Sequence, residues 1–584
     1  MEGRMSIMAD ITKCDLTKVK TDLILAHRKC SERRLLNSAK WAAEMSQAVT
    51  KEINLNELIQ PQYRKDFCDE FDKYTVALTY FDLKEYGRAA REVEKCKSSQ
   101  GYFLYMYSRY LADEKKRLDN SSDSIGPVEQ EDKCLKTLHI ELQKKHLAKE
   151  LDGFGLYLFG VVLRKLELNK TAVEVLVESV NLEPLHWGSW QELALLITDR
   201  QMLNSLELPD HWVKQLFLAN VYLELQLNEE PLKIYQSFLD NGFMKSKYII
   251  SQIAISYHNM REIEQAVKAF KQLHKLDPCR LENMDIYSNL LYVKEMGGDL
   301  ADLAHHSCEI DKYRVETCCV IGNYYSLRGQ HEKAVLYFQR ALKLNPHYLS
   351  SWTLMGHEYM EMKNTSAAIQ AYRQAIEVNK RDYRAWYGLG QTYEILKMPT
   401  YSLYYYMRAQ QLRPNDSRMV VALGECYEKL ERLVEAKKCF WKAHSVGDVE
   451  GMALLKLAKL YERLQEDDQA ASAYMEYISK METQGFAKFE EQGQAYKYLA
   501  NYYLSRKQWD EAYAAAQKCV EFLETREEAK AILKTIQTER GITESNIHVD
   551  MDASTGSITM ERHPLVPSDT PLGRITPTAL RFTP

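Results

Sequence analysis

Five tyrosines recur at one fixed interval, Tyr325, Tyr359, Tyr393, Tyr427 and Tyr461, and the side chains around them keep step. Three positions before each stands a small one: Gly322, Gly356, Gly390, Gly424 and Ala458. Nine positions after comes another (Ala334, Ala368, Ser402, Ala436, Ala470), and thirteen after comes an aromatic (Phe338, Tyr372, Tyr406, Phe440, Tyr474). The interval, about 34 residues, is the length of one helix–turn–helix unit, and a chain of such units packs each one only on its neighbours. That restricts the fold to an all-α solenoid. It also removes the size problem, since 584 residues exceed one ordinary hydrophobic core but a solenoid has no single core to outgrow.

The spacing matches the tetratricopeptide repeat (TPR), with Trp352, Trp386, Pro346 and Pro414 completing individual copies. The expected architecture is a right-handed superhelical solenoid in which Gly322 and Ala334 bring two helices close while Tyr325 and Phe338 fill the space beside them. The ladder runs backwards through Tyr257, a degenerate copy with Leu291 in place of tyrosine, Tyr222, and a unit around Gly160, Leu163, Ala172 and Leu176. A weaker unit lies at Ala77, Tyr80, Ala89 and Val93, and Thr21–Val49 reads as helical without a clear repeat phase. Tyr503 follows Tyr461 by more than one period, and the surplus is assigned to a longer loop over Glu482–Gly493; a helix over Thr525–Arg540 should cap the array.

Two segments stand outside the periodicity. Asp119–Asp132 is acidic and Ser-rich, broken by Gly126 and Pro127, and from Gly541 onward Ser, Thr and Pro accumulate; both read as disordered. The resulting division is an N-terminal region (1–118), a flexible acidic insertion (119–132), central repeats (133–314), a C-terminal array with a peptide groove and capping helix (315–540) and a disordered tail (541–584).

Chemistry is largely excluded. With 77 basic against 82 acidic residues the net charge of −5 is too mild to imply nucleic acid or membrane as partner. No apolar run approaches the roughly 20 residues that span a bilayer. The N-terminus lacks the apolar stretch of a signal peptide, and twelve scattered cysteines without CxxC spacing read as reduced thiols in a cytosolic or nuclear protein. His305, His306 and Cys308 have no second ligand cluster, so they read as repeat surface and no metal is expected. Gly153, Gly155 and Gly160 follow no strand, which removes a dinucleotide site, and neither a P-loop nor a GxSxG appears. No cofactor and no catalysis are expected.

What remains is binding. Glu316, Cys319, Asn323 and Ser326, spaced three, four and three, form a second stripe on the first helix of their repeat. The same register in later repeats gives His357, then Tyr387, Gln391 and Glu394, then Glu425 and Glu428. In TPR proteins this stripe lines the concave groove, and one rich in carboxylates suits an extended peptide carrying arginine. A co-chaperone of the TPR type is the alternative, but its groove would need Lys, Asn and Arg to clamp a C-terminal carboxylate, and glutamates have the wrong sign. An enzyme with a TPR arm is a third reading, for which no stretch long enough to form a catalytic domain remains.

The stretches Glu309–Pro346 and Trp352–Pro399, with Tyr102–Leu111 (YFLYMYSRYL), Leu151–Leu168 (LDGFGLYLFGVVLRKLEL) and Pro184–Trp190 (PLHWGSW), resemble the eighth-subunit TPR family of the anaphase-promoting complex, or cyclosome. The likeness covers about Tyr74 to Glu528 and weakens outside it. It implies a non-catalytic scaffold subunit of a multisubunit ubiquitin ligase controlling mitotic progression, found in nucleus and cytoplasm. It further implies a homodimer formed through N-terminal repeats, stacking with sister TPR subunits, and a groove receiving an Arg-containing motif of WD40-type activator proteins. Carried over by position, Asn323 and Glu358 match that pocket; ideal helix geometry puts Glu358 on the flank opposite the groove stripe. The aromatic run Tyr102, Phe103, Tyr105, Tyr107 and Tyr110 goes all round a helix, more than one core-facing stripe can bury, and points to the same self-association. Thr570, Thr576 and Thr583, each before a proline, are candidate phosphorylation sites that should tune assembly or activator binding rather than folding.

Overall fold

A computed structural model of the chain describes residues 15–51, 65–121, 133–225, 229–448, 451–484 and 490–551. Among them there are 29 α-helices, one short π-helical turn (Leu239–Phe243) and no strand. Two compact units divide the chain, Met1–Asn364 and Thr365–Pro584.

One repeat shows why the sequence folds this way. The helix Val315–Leu327 turns back through Gly329 (φ +69°) into the helix His331–Leu344. Between them, a Cβ on Gly322 would lie 2.5 Å from Phe338 Cε1, so only glycine admits the ring, which is fully buried. The same lock recurs in the second unit at Gly390 against Tyr406 (2.5 Å) and Gly424 against Phe440 (2.6 Å). In the first unit Gly160 meets Leu176 at 2.6 Å, an aliphatic copy of the same device. The small-then-aromatic spacing therefore has the packing origin read from the sequence, and the all-α TPR fold is as expected. Gly153–Lys165 is helical throughout, with Asp152 capping Gly155 N–H at 2.7 Å.

The turn between paired helices carries a second regularity. Lys363, Lys397, Glu431 and Gln465 all sit in the left-handed region, with φ of 59°, 57°, 58° and 59°, in step with Gly329. A left-handed L-residue costs about 1–2 kcal/mol. The turn recovers this through its hydrogen bonds: Lys397 N–H to Glu394 O and Met398 N–H to Tyr393 O, both 2.9 Å, satisfy carbonyls at the helix end. Because the side chain points to water, its identity drifts and the ladder is invisible in composition.

Three boundaries differ from expectation. The surplus between Tyr461 and Tyr503 enters the helices: Asp467–Gln484 has 18 residues and Glu490–Ser505 has 16, and Gly493 lies inside the latter. Tyr477 and Met481 extend the buried face of the first of these, which is why it runs on. The last helix, Arg526–Met551, continues past Arg540, and Ser99–Ser121 runs into the start of the acidic stretch. Residues 122–132 and 552–584, with Thr570, Thr576 and Thr583, lie outside the described residues.

The first helical pair, Leu16–Glu32 and Leu36–Ala48, explains its unclear phase. It packs on helices remote in sequence. Trp41 stacks on Trp187 (4.8 Å between ring centroids) with Tyr248 edge-on, and Lys29 and Arg33 pair with Glu183 (2.9 Å) and Asp152 (3.1 Å).

Candidate functional site

In the first unit the predicted stripe is present but largely covered. Cys319, Asn323 and Ser326 are buried, and Glu316 is half-buried against Arg314 (3.0 Å). Asn323 Nδ2 donates to Ser288 Oγ at 2.7 Å and to Asn289 Oδ1 at 2.6 Å. One turn further along the same helix, Ser326 Oγ donates to Glu358 Oε1 at 2.7 Å, and His331 Nδ1 lies 2.8 Å from Glu358 Oε2. The helix Leu349–Glu361 thus turns Glu358 toward the preceding repeat. Glu358 leaves its own helix on the flank away from that helix's stripe, as ideal geometry places it, and from there joins the stripe of the neighbouring helix, because a repeat's first helix meets the one before it along that flank. Asn323 and Glu358 are thereby brought to one polar line, each only 3% and 5% exposed.

The line continues inward. Tyr348 donates its hydroxyl to Asp285 Oδ2 (2.8 Å), far back in the chain, and Cys319 Sγ lies 3.1 Å from Ser351 Oγ. Burial and the Asp285 carboxylate push the Tyr348 phenol far above its ordinary pKa, and burial raises the Cys319 thiol likewise, so both stay neutral. Asp285 and Asn289 escaped the sequence reading, yet they stand one full period before Cys319 and Asn323. The degenerate copy with Leu291 stays in phase, so the stripe register extends one repeat further back to them.

His357 is exposed. In the second unit Gln391 is exposed, Tyr387 packs at 5.3 Å from Tyr406, and Glu394 accepts the Tyr406 hydroxyl at 2.7 Å while pairing with Lys429. Glu425 and Glu428 pair with Lys456 (2.9 Å) and Arg463 (2.6 Å). Glu316, Glu394, Glu425 and Glu428 therefore each have a basic partner in the chain. The carboxylate-rich groove is corrected to a neutralised one, and the sign-of-charge argument against a carboxylate clamp loses most of its force. A glutamate that keeps no Lys or Arg partner in this set is Glu358. A carboxylate offers about four lone-pair positions, and Ser326 and His331 occupy two.

His306 Nε2 lies 3.1 Å from Pro278 O and His305 packs near Tyr324, so both are engaged in the repeat surface. No group of three or more His, Cys, Asp or Glu side chains arranged to hold a metal occurs among the described residues, and no described helix is long and apolar enough to cross a membrane.

Fold and polar line define a helical-repeat protein of the tetratricopeptide class, in which the polar line runs along the first helices of successive repeats. The sequence profile described as anaphase promoting complex subunit 8 / Cdc23 matches residues 18–254, and TPR profiles match 315–348, 356–395 and 452–480. The human protein named cell division cycle protein 23 homolog is 58% identical over 310 residues, covering 52% of this chain and 51% of its own. The anaphase-promoting complex subunit 8 of Dictyostelium discoideum is 39% identical over 413 residues, 60% of this chain and 69% of its own. The chain belongs to the anaphase-promoting complex subunit 8 / Cdc23 family. The match spans about half the length of the first mammalian relatives. Among solved structures, the crystal structure of the APC/C hetero-tetramer Cut9–Hcn1 superposes with a TM-score of 0.54 at 16% identity, covering 88% of this chain and 95% of that one, a likeness of fold. The family match begins at residue 18, well before Tyr74, so the likeness extends into the N-terminal helices.

Proposed function

We propose that the chain is a non-catalytic scaffold subunit of the anaphase-promoting complex, working in nucleus and cytoplasm. It holds sister TPR subunits, pairs with a second copy of itself, and receives an Arg-containing activator motif at Asn323 and Glu358. The observation that carries the groove assignment is the convergence of those two residues on one buried polar line through Ser326. There the guanidinium of an incoming arginine would take the remaining lone pairs of Glu358, and the Asn323 amide would bond the peptide backbone. Phosphate on Thr570, Thr576 or Thr583 would tune assembly or activator binding, not folding.

The test is titration of the full chain with an Arg-containing activator peptide. A lysine at position 358 would bury an ammonium beside His331, so the informative change is Glu358→Gln, which keeps shape and removes charge. Glu358→Gln and Asn323→Ala should each weaken binding ten-fold or more, about 1.4 kcal/mol, with helicity unchanged. Equal affinity for all three proteins would place the pocket elsewhere.

A further inference from the structure

The second unit carries an aromatic face that stays largely exposed among the described residues, with only Arg408 lying over its Tyr404 ring at 5.6 Å. It is built by the helices Tyr383–Ile395 and Pro399–Leu412. Tyr393 stacks on Tyr405 at 5.3 Å with the rings 4° from parallel and on Tyr401 at 5.5 Å, while Trp386 closes the row 6.0 Å from Tyr405. Arg373 Nη2 donates to the Tyr393 hydroxyl at 3.2 Å and fixes the row. Around it Ile395, Met398, Tyr401, Tyr404 and Met407 stand 41–62% exposed. Single exposed apolar side chains are ordinary, but a rigid cluster of this kind marks a binding surface. Packing inside the repeat does not account for it, since Tyr406, one position on, already fills the core beside Gly390.

The chain contains a segment of fitting chemistry. Beyond Met551 it continues to Pro584, and in that stretch Pro564, Pro567, Pro571 and Pro577 alternate with Leu565, Val566, Leu572 and Ile575. Proline-punctuated peptide docks on rows of aromatic rings because its extended form is preset and loses little entropy on binding. Reach is sufficient. Three repeats of paired helices separate this face from the last helix, about 60 Å at most at ~10 Å per helix, and the roughly 20 residues between Met551 and Leu572, the middle of the segment, extend to about 70 Å. The tether also supplies a local concentration of about millimolar, so a weak contact is populated in cis.

We propose that Pro564–Pro577 of the chain's own tail occupies the aromatic face of Trp386, Tyr393, Tyr401, Tyr404 and Tyr405. A photoreactive benzoylphenylalanine placed at Leu572 of the full chain tests this. Light and nitrogen-15-labelled chains are mixed before irradiation, and the cross-links are mapped by mass spectrometry. The expected products join position 572 to residues 395–408 within one chain. Their yield should fall at least five-fold in Tyr401→Ala/Tyr404→Ala and recover in the double Phe variant. Pro564→Ser/Pro567→Ser/Pro571→Ser, which alters no described residue, should lose the products as well. Light–heavy products would assign the face to a second copy and overturn the proposal. So would cross-links to other helices, or a yield indifferent to both sets of substitutions.

Discussion

At the scale of single residues, one missing methyl group decides whether a repeat closes. A Cβ at position 424 would sit 2.6 Å from Phe440 Cε1, and the fully buried ring cannot retreat, so Gly424→Leu should cost about 1–3 kcal/mol by overpacking. Gly298, inside the helix Gly297–Ile310, has nothing within 4 Å of its would-be Cβ, so Gly298→Ala should instead gain about 0.5–1 kcal/mol from helix propensity. Urea titration of both variants should show opposite signs; a neutral Gly424→Leu would mean the ring has room. His186 makes a second residue-scale case. Its Nδ1 lies 2.7 Å from Ser189 Oγ, its Nε2 is buried without a partner, and burial, helped by nearby Arg33, lowers its pKa from the usual 6.5 to about 3. The unfolded chain therefore takes up the proton first as pH falls. The stabilisation is whole above about pH 6.5 and drains away from there toward pH 3. Melting temperature should drop between pH 7.5 and 5.5 in the wild type and by less in His186→Asn; identical drops would assign the acid sensitivity to other groups.

At the scale of elements, two ladders hold the helices of the second unit, a polar one between successive first helices and a steric one between the two helices of each repeat, and magnitudes decide between them. Glu394–Lys429 and Glu428–Arg463 connect one helix to the next, but the cationic side chains are each 53% exposed, and such pairs are worth about 0–1 kcal/mol. Lys429→Met and Arg463→Met should therefore each shift unfolding by under about 1 kcal/mol, with most of that effect gone in 1 M salt. A larger loss than from Gly424→Leu would reverse the ranking. The steric ladder was legible in the sequence because close packing admits few residue types: glycine under a ring at 322, 390 and 424 leaves no freedom. The left-handed turn ladder was not, because Lys363, Lys397, Glu431 and Gln465 meet a demand on the backbone alone. The candidate site was half legible for the same reason. Asn323 stood out by register, whereas the facing of Glu358, the partners Asp285 and Asn289, and the cations that neutralise the other glutamates depend mostly on neighbours in other repeats.

At the scale of the whole molecule the question is what a second copy would hold. The aromatic run 102–110 predicted self-association because the pattern gave one helix more rings than a single stripe can bury. The chain itself accommodates them: Phe103 and Tyr110 are buried, Tyr107 stacks on Phe81 at 5.6 Å, and Lys145 and Arg109 cover Tyr102 and Tyr105 at 4.6 and 5.1 Å. A self-contact before about residue 200 would therefore rest on what stays exposed there, and among the described residues the most exposed apolar side chains, ahead of Phe71 at 42%, are aliphatic: Leu36, Leu83, Ile140 and Leu147. Each is 61–77% exposed, and covering one fully would contribute about 1.5–3 kcal/mol, so a few together suffice for micromolar association. Light scattering on the full chain at micromolar concentration should give twice 68.1 kDa. Leu83→Lys or Leu147→Lys should return the mass toward that of one chain, while Tyr105→Ala should not. A single-chain mass for the wild type would remove the homodimer. A dimer broken only by Tyr105→Ala would restore the aromatic run as its interface.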